Sequence, residues 1–295
     1  MLEVPDSFVV EVVRQRGDVG LRWLADLPVL VDELCRGWQL LVCDEPVSHG
    51  ANAIVVPVER AGESLVLKVS WHTSTVADEV VALRAWGGHG AVELFEAEPR
   101  LGAVLLERLD AGMTLHDVEV HAAASVAGEL IGRLTVAAPP GLPTVRSYGL
   151  ELADSLAARN RAVGGAVPKH WVEQAASLAR QLAAAAGTSL VHADLHFGNV
   201  LAGRREPWLA IDPRAVSGDP EQSVPELMWT RIDELDDASV PALLDVIVDA
   251  GRLDSDKALA WTVVRAVDYW LWGLPIGLTI DPERCRRLLS VLTGK

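Results

Sequence analysis

The stretch His192-Ala193-Asp194-Leu195-His196-Phe197-Gly198-Asn199 gathers two imidazoles, a carboxylate and a carboxamide, and Asp212 follows at the end of the apolar run Trp208–Ile211. A carboxylate beside a hydroxyl can orient it and accept its proton. A carboxamide oxygen with a second carboxylate can hold a divalent cation such as Mg2+. Phosphoryl transfer asks a protein for little beyond that alignment and charge neutralisation. If Asn199–Leu201 and Leu209–Ile211 pair as a short hairpin, then Asp194, Asn199 and Asp212 converge at its mouth. The structural alternative is a loop in which Asp and Asn bond only to nearby backbone. His192 is read as such a structural loop residue, and His196 as a loop or substrate-side residue.

That chemistry needs a cation for the phosphates. Lysine is scarce: Lys68, Lys169, Lys257 and Lys295 are the only four, and Lys68 sits inside the apolar run LVLKV. A buried ammonium requires a partner. Glu79 is the candidate, because Val76, Leu83 and Trp86 place it on the apolar face of its helix rather than on the wet face. A strand lysine paired with a helix glutamate positions phosphates in kinase-type enzymes.

The elements that must carry these residues fall into two groups. Ile54–Val58 and Leu65–Val69 read as an antiparallel hairpin around ERAGES. Thr75–Trp86 switches to helical spacing with Thr75 and Asp78 as a capping box, and Gly102–Gly112 reads as a buried strand ending in a turn. Beyond Thr114, helical patterns cover His116–Thr135, Leu150–Asn160 and Trp171–Ala186, then resume from Glu226. The expectation is an α+β chain with a small β-rich lobe, residues 1–108, and a larger helical lobe, residues 109–295.

HxDxHxGN with a downstream IDP resembles the aminoglycoside phosphotransferases, bacterial antibiotic kinases with a bilobal protein-kinase-like fold. The likeness is greatest to the branch of streptomycin 6-phosphotransferases and hydroxyurea phosphotransferases. LRAWGGHGAVELFEAEPR, LLERLD, AAPPGL, REPWLAIDP and GDP are similar to that branch in wording and order, from about Val4 to Trp229. The resemblance implies a small antiparallel N-lobe, a mainly helical C-lobe, and ATP- and Mg2+-dependent phosphorylation of a hydroxyl on a streptomycin-like aminoglycoside, giving resistance. It implies Asp194 as catalytic base, Asn199 and Asp212 as Mg2+ ligands, and Lys68 on the α- and β-phosphates, anchored by Glu79. The backbone of Glu107–Leu109 would bind adenine, and SHGANA, with Ser48 and Gly50, would cover the phosphates. Two departures stand out. SHGANA has one glycine where protein kinases have several, and Gly218-Asp219-Pro220 is followed by Glu221-Gln222-Ser223-Val224 where the family often has an aromatic and an acid. The alternatives are a kinase of another hydroxylated metabolite or drug, such as an amino sugar or hydroxyurea, or a nucleotide-binding regulator without turnover. A protein kinase is disfavoured, since HADLHFGN lacks the Arg of H-R-D and no D-F-G follows.

Composition narrows the partners. With 26 basic against 41 acidic residues the net charge is −15, which disfavours nucleic acid and anionic membranes and agrees with a cationic small-molecule acceptor. Cys35, Cys43 and Cys285 have no metal-ligand or disulfide pattern. The longest apolar stretch, Ala258–Ile280, is broken by Arg265, Asp268, Gly273 and Pro275, so it reads as a buried helix and loop. The N-terminus lacks the apolar core of a signal peptide, so a cytoplasmic location is expected; the expected assembly is a monomer or weak dimer. For the acceptor side, Asp219, Trp229, Asp268, Trp270 and Trp272 are candidates, with the acids of RIDELDD as an attraction for guanidinium or simply a solvated helix face. Asp268, embedded among apolar residues, needs either Arg265 or a cationic ligand.

Overall fold

The computed structural model describes residues 2–71 and 73–294. Two compact units emerge: Met1–Gly88 with Val92–Leu109, and His89–Ala91 with Asp110–Lys295.

In the first unit, α1 (Asp6–Trp38) precedes β1 (Leu41–Val42), β2 (Ser48–His49), β3 (Ala53–Arg60), β4 (Glu63–Ser70), α2 (Thr73–Trp86), β5 (Leu94–Glu98) and β6 (Ala103–Glu107). The strands form one antiparallel sheet in the order β1-β3-β4-β6-β5, with β2 also paired to β3. Side chains alternate across a strand, so β4 sends Leu65, Leu67 and Val69 to the face that packs on α1. Ile54, Val56 and Val58 of β3 and Ala103 and Leu105 of β6 join them there. Lys68, between Leu67 and Val69, must therefore leave on the opposite face, where it bonds to Glu79 of α2.

Helix α1 is absent from the sequence expectations, which found strand signals in the first hundred residues. Its buried positions Leu24, Leu27, Val31 and Leu34 recur at helical spacing, but the helix is broken at Gly17 (φ 55°, ψ −136°) and carries Pro28 inside. Both interruptions mask the period. α2 starts before Thr75, so the expected capping box is corrected: Thr75 and Asp78 lie within the helix, and burial raises the Asp78 carboxyl.

The second unit contains β7 (Asp110–Thr114), α3 (Val120–Leu134), α4 (Val145–Ala162), α5 (Lys169–Ala184), β8 (Ser189–Val191), β9 (Val200–Ala202), β10 (Trp208–Ala210) and β11 (Val216–Gly218). These are followed by α6 (Pro225–Trp229), α7 (Val240–Gly251), α8 (Ser255–Gly273) and α9 (Ile280–Thr293). Two small antiparallel ladders, β7-β9-β10 and β8-β11, sit among the helices. Helix starts follow their caps. Glu119 accepts from the N–H groups of His121 and Ala122, bonds that pull its carboxyl down to about 2, so α3 begins at Val120. Thr144 accepts from the Ser147 N–H at 3.1 Å and starts α4 five residues before the apolar pattern shows it. Among the described residues no helix is long and apolar enough to cross a membrane.

α3 and α7 approach through glycine. A Cβ at Gly128 would lie 2.5 Å from the Ile247 carbonyl, 2.9 Å from the Ala250 Cβ and 3.2 Å from the Gly251 nitrogen. Gly128→Ala should therefore force the two helices apart and destabilise the fold by about 1–3 kcal/mol, read as a lower urea midpoint. A midpoint equal to that of the unsubstituted chain would show that the helices slide freely.

Candidate active site

In the first unit the Lys68 ammonium donates to both Glu79 oxygens, at 2.8 and 3.0 Å, and the two side chains are 9 % and 5 % exposed. A bidentate ion pair at that depth is costly to break from one side, because the survivor is left as an uncompensated buried charge. In the SHGANA turn between β2 and β3, the Gly50 N–H donates to the Ala53 carbonyl at 2.9 Å. That amide is committed to the hairpin. The His49 ring takes a fixed orientation: Nδ1 donates to the Gly50 carbonyl at 3.0 Å and Nε2 accepts from the Ser7 hydroxyl at 2.8 Å. Ser48 pairs in register with Val55. Glu107 closes β6, its N–H donating to the Glu93 carbonyl at 2.9 Å, and Leu109 follows half-buried in the stretch after the strand.

In the second unit, β9 and β10 pair as the sequence suggested, Val200 opposite Ala210 and Leu201 opposite Leu209. Asn199 joins the loop before β9 to the loop after β10. Its carbonyl accepts from the Ile211 N–H at 2.9 Å, its N–H donates to the His196 carbonyl at 2.9 Å, and its Nδ2 donates to the Asp194 carbonyl at 2.9 Å. Only the amide nitrogen can donate to a carbonyl, which fixes the amide's orientation and leaves Oδ1 as an acceptor. Ala193 and Asp212 both hold left-handed backbone, with φ of 55° and 56°, although neither is glycine. Such strain persists only where the surroundings over-determine it. Asp194, Asn199 and Asp212 thus converge on two adjoining loops.

His192 is buried and donates from Nε2 to the Ile211 carbonyl at 2.9 Å, a second tie between those loops. Burial pushes its imidazole down to about 4, against the pull of Asp194, so the ring is neutral at physiological pH. His196 accepts from the Gly198 N–H at 3.1 Å and is likewise lowered by burial.

Two charged neighbours went unnoticed in the sequence. Arg214, two residues past Asp212, brings Nε to 3.3 Å from Asp194 Oδ2. Glu226 on α6 is buried and accepts from Arg265 at 2.5 Å. Its carboxyl is pushed up to about 7 by burial first, opposed by Arg265 and reinforced by the nearby Asp194 charge. The signal for Glu226 was a lone acid inside the apolar run Val224–Trp229, the same pattern that singled out Lys68.

The acceptor-side candidates have the following surroundings, and Arg265 is among the partners of Asp268 as expected. Asp219 is buried, accepting from Lys257 at 2.7 Å and from the Gly187 N–H at 3.0 Å. Asp268 is buried, with Tyr148 donating at 2.5 Å, Arg159 at 2.6 Å and Arg265 at 2.8 Å, so protein cations supply its partners. Trp229 is 1 % exposed against Tyr269, and Trp270 packs against Trp171. Trp272 alone of those tryptophans is exposed. Three of the four acids of RIDELDD are tied to arginines, Asp233 to Arg284, Glu234 to Arg231 and Asp237 to Arg287, while Asp236 accepts from the Ser239 N–H.

Among the described residues no three His, Cys, Asp or Glu side chains cluster as a metal site. The donor set of Asn199 Oδ1 and Asp212 nonetheless fits Mg2+, which is ordinarily held by one or two protein oxygens with phosphate and water completing the octahedron. The depressed histidine gives a sign for pH. A His whose folded value is lowered contributes stability above its unfolded value, and that contribution is lost as pH falls. The stability gap between the unsubstituted chain and His192→Asn should therefore shrink as pH drops from about 6.5 towards about 4, measured by thermal unfolding across that range. A constant gap would mean that the imidazole ionises as freely in the fold as out of it.

The profile of the family described as "Aminoglycoside/hydroxyurea antibiotic resistance kinase" matches residues 38–277. The chain is 39 % identical to the hydroxyurea phosphotransferase of Kitasatospora aureofaciens, covering 100 % of this chain and 87 % of that one. It is 35 % identical to the streptomycin 6-kinase of Streptomyces griseus, covering 94 % and 93 %. Among solved structures, a thermostable mutant of aminoglycoside phosphotransferase APH(4)-Ia with ADP and hygromycin B superposes with a TM-score of 0.63 at 19 % identity, covering 89 % of this chain and 97 % of that one. The choline kinase LicA from Streptococcus pneumoniae superposes with a TM-score of 0.60 at 14 % identity, covering 91 % and 99 %. These likenesses establish the protein-kinase-like fold. The chain belongs to the aminoglycoside/hydroxyurea antibiotic resistance kinase family, and it is a phosphotransferase.

Proposed function

We propose that this phosphotransferase moves the γ-phosphoryl group of ATP, with Mg2+, to a hydroxyl of an aminoglycoside of the streptomycin type, and so confers resistance in the cytoplasm where ATP resides. The observation that carries the reading is the convergence of Asp194, Asn199 and Asp212 on loops cross-tied by Asn199 and His192. In this mechanism Asp194 orients the acceptor hydroxyl and takes its proton as the oxygen attacks phosphorus. Asn199 Oδ1 and the Asp212 carboxylate would hold the metal, which when bound neutralises phosphate charge. Lys68, aligned by Glu79, steadies the α- and β-phosphates in the first unit, while Glu107 and Leu109 offer backbone to the adenine and Ser48 its hydroxyl to the phosphates. The phosphate added to the acceptor carries about −1.5 to −2 charge and would spoil the fit of a cationic drug to an anionic target. Hydroxyurea is the second reading, favoured by the 39 % identity over the full chain to a hydroxyurea phosphotransferase.

An ATP-consumption screen over streptomycin, other aminoglycosides, hydroxyurea and amino sugars, with mass spectrometry of the product, decides the acceptor. Asp194→Ala should lower kcat by about 10²–10⁴-fold with the nucleotide still bound. Near-normal turnover in that variant would remove Asp194 from the chemistry. Lys68→Ala should raise the KM for ATP far more than that for the acceptor; equal loss of both would point to damage to the fold.

A further inference from the structure

The second unit holds a chain of alternating charges that phosphate transfer itself does not use. Glu226 Oε1 accepts from Arg265 at 2.5 Å, Arg265 donates onward to Asp268 at 2.8 Å, and Asp268 is closed off by Arg159 at 2.6 Å and Tyr148 at 2.5 Å. The Glu226 side chain is 7 % exposed. Its second oxygen, Oε2, makes no hydrogen bond with any described residue. A carboxylate oxygen that deep is expected to have a donor. The groups within electrostatic reach of it are Asp194 and Arg214 from the loops, Arg265 and Tyr269 from α8, and Cys285 from α9.

We propose that Glu226 is a specificity-determining residue, whose open oxygen receives an N–H donor of the acceptor while Asp194 receives the hydroxyl. The inference rests on the functional reading above and names the acceptor feature that the site selects: a nitrogen donor, guanidinium, ammonium or urea N–H, close to the hydroxyl that is phosphorylated. Arg265 is the positioning residue, because it fixes one Glu226 oxygen and so aims the other. Streptomycin carries guanidinium groups on a hydroxylated ring, and hydroxyurea carries N–H beside its hydroxyl, so both meet the requirement. A neutral polyol does not.

Glu226→Gln in the full chain is the direct test. Glutamine can keep an oxygen on Arg265 but then presents an NH₂ where the acceptor also presents a donor. The KM for streptomycin should rise about tenfold or more, with the KM for ATP within about twofold. In the unsubstituted chain the streptomycin KM should fall as pH rises through about 7, where the Glu226 carboxylate forms, while a guanidinium keeps its charge throughout. That dependence should vanish in the variant. A variant KM within about twofold of the original overturns the inference. If the variant does not fold, a flat KM profile from about pH 6 to 8 in the unsubstituted chain overturns it instead. Failure of the unsubstituted chain to phosphorylate streptomycin and hydroxyurea alike is a different result, which removes the functional reading and this inference together.

Discussion

The candidate site loops of the second unit depend on Asn199. One residue spends its N–H, its carbonyl and its amide nitrogen on three different backbone partners, and those bonds lock the loop carrying Asp194 to the loop carrying Asp212. Phosphoryl transfer gains most from fixed alignment, so a residue that supplies alignment through its backbone and an acceptor through its remaining oxygen serves both needs. The left-handed backbone at Ala193 and Asp212 fits this account: two non-glycine residues stay in a sparsely populated region because the cross-ties leave them no other course.

How far this was legible in the sequence depended on the range of the physics involved. The β9–β10 hairpin, the convergence of Asp194, Asn199 and Asp212, and the Lys68–Glu79 pair were all readable, because each follows from local spacing or from a charge stranded in an apolar run. Asp268 was half-readable: its need for a partner was plain, but Arg159, far away in sequence, could only be found in three dimensions. Arg214 was missed for the same reason, since it matters through its proximity to Asp194, whereas Glu226 did leave a local signal, a lone acid inside the apolar run Val224–Trp229. α1 was missed because Gly17 and Pro28 break the pattern that a helix normally writes. Trp229 and Trp270 have surroundings that local spacing could not show. An aromatic next to a site in sequence is most often core, and here each is buried against another ring.

Acidity in this chain is organised more than it is exposed. Asp233, Glu234 and Asp237 of RIDELDD and the buried Asp219, Glu226 and Asp268 each pair with lysine or arginine, so the net charge of −15 overstates the negative field at any one of these positions. If the acceptor is cationic, as proposed above, its discrimination would come from a few well-placed oxygens and not from bulk attraction.

The opposite displacements of His192 and Glu226 have a joint consequence. Between about pH 4.5 and 6.5 the unfolded chain would carry a charged imidazole and a charged carboxylate, whereas the native chain carries both groups neutral. Folding in that interval therefore hands one proton from a histidine to a glutamate and takes up none from the buffer. Two interior groups that would each make the molecule sensitive to mild acid cancel one another, and their combined contribution to the folding equilibrium is nearly independent of acidity.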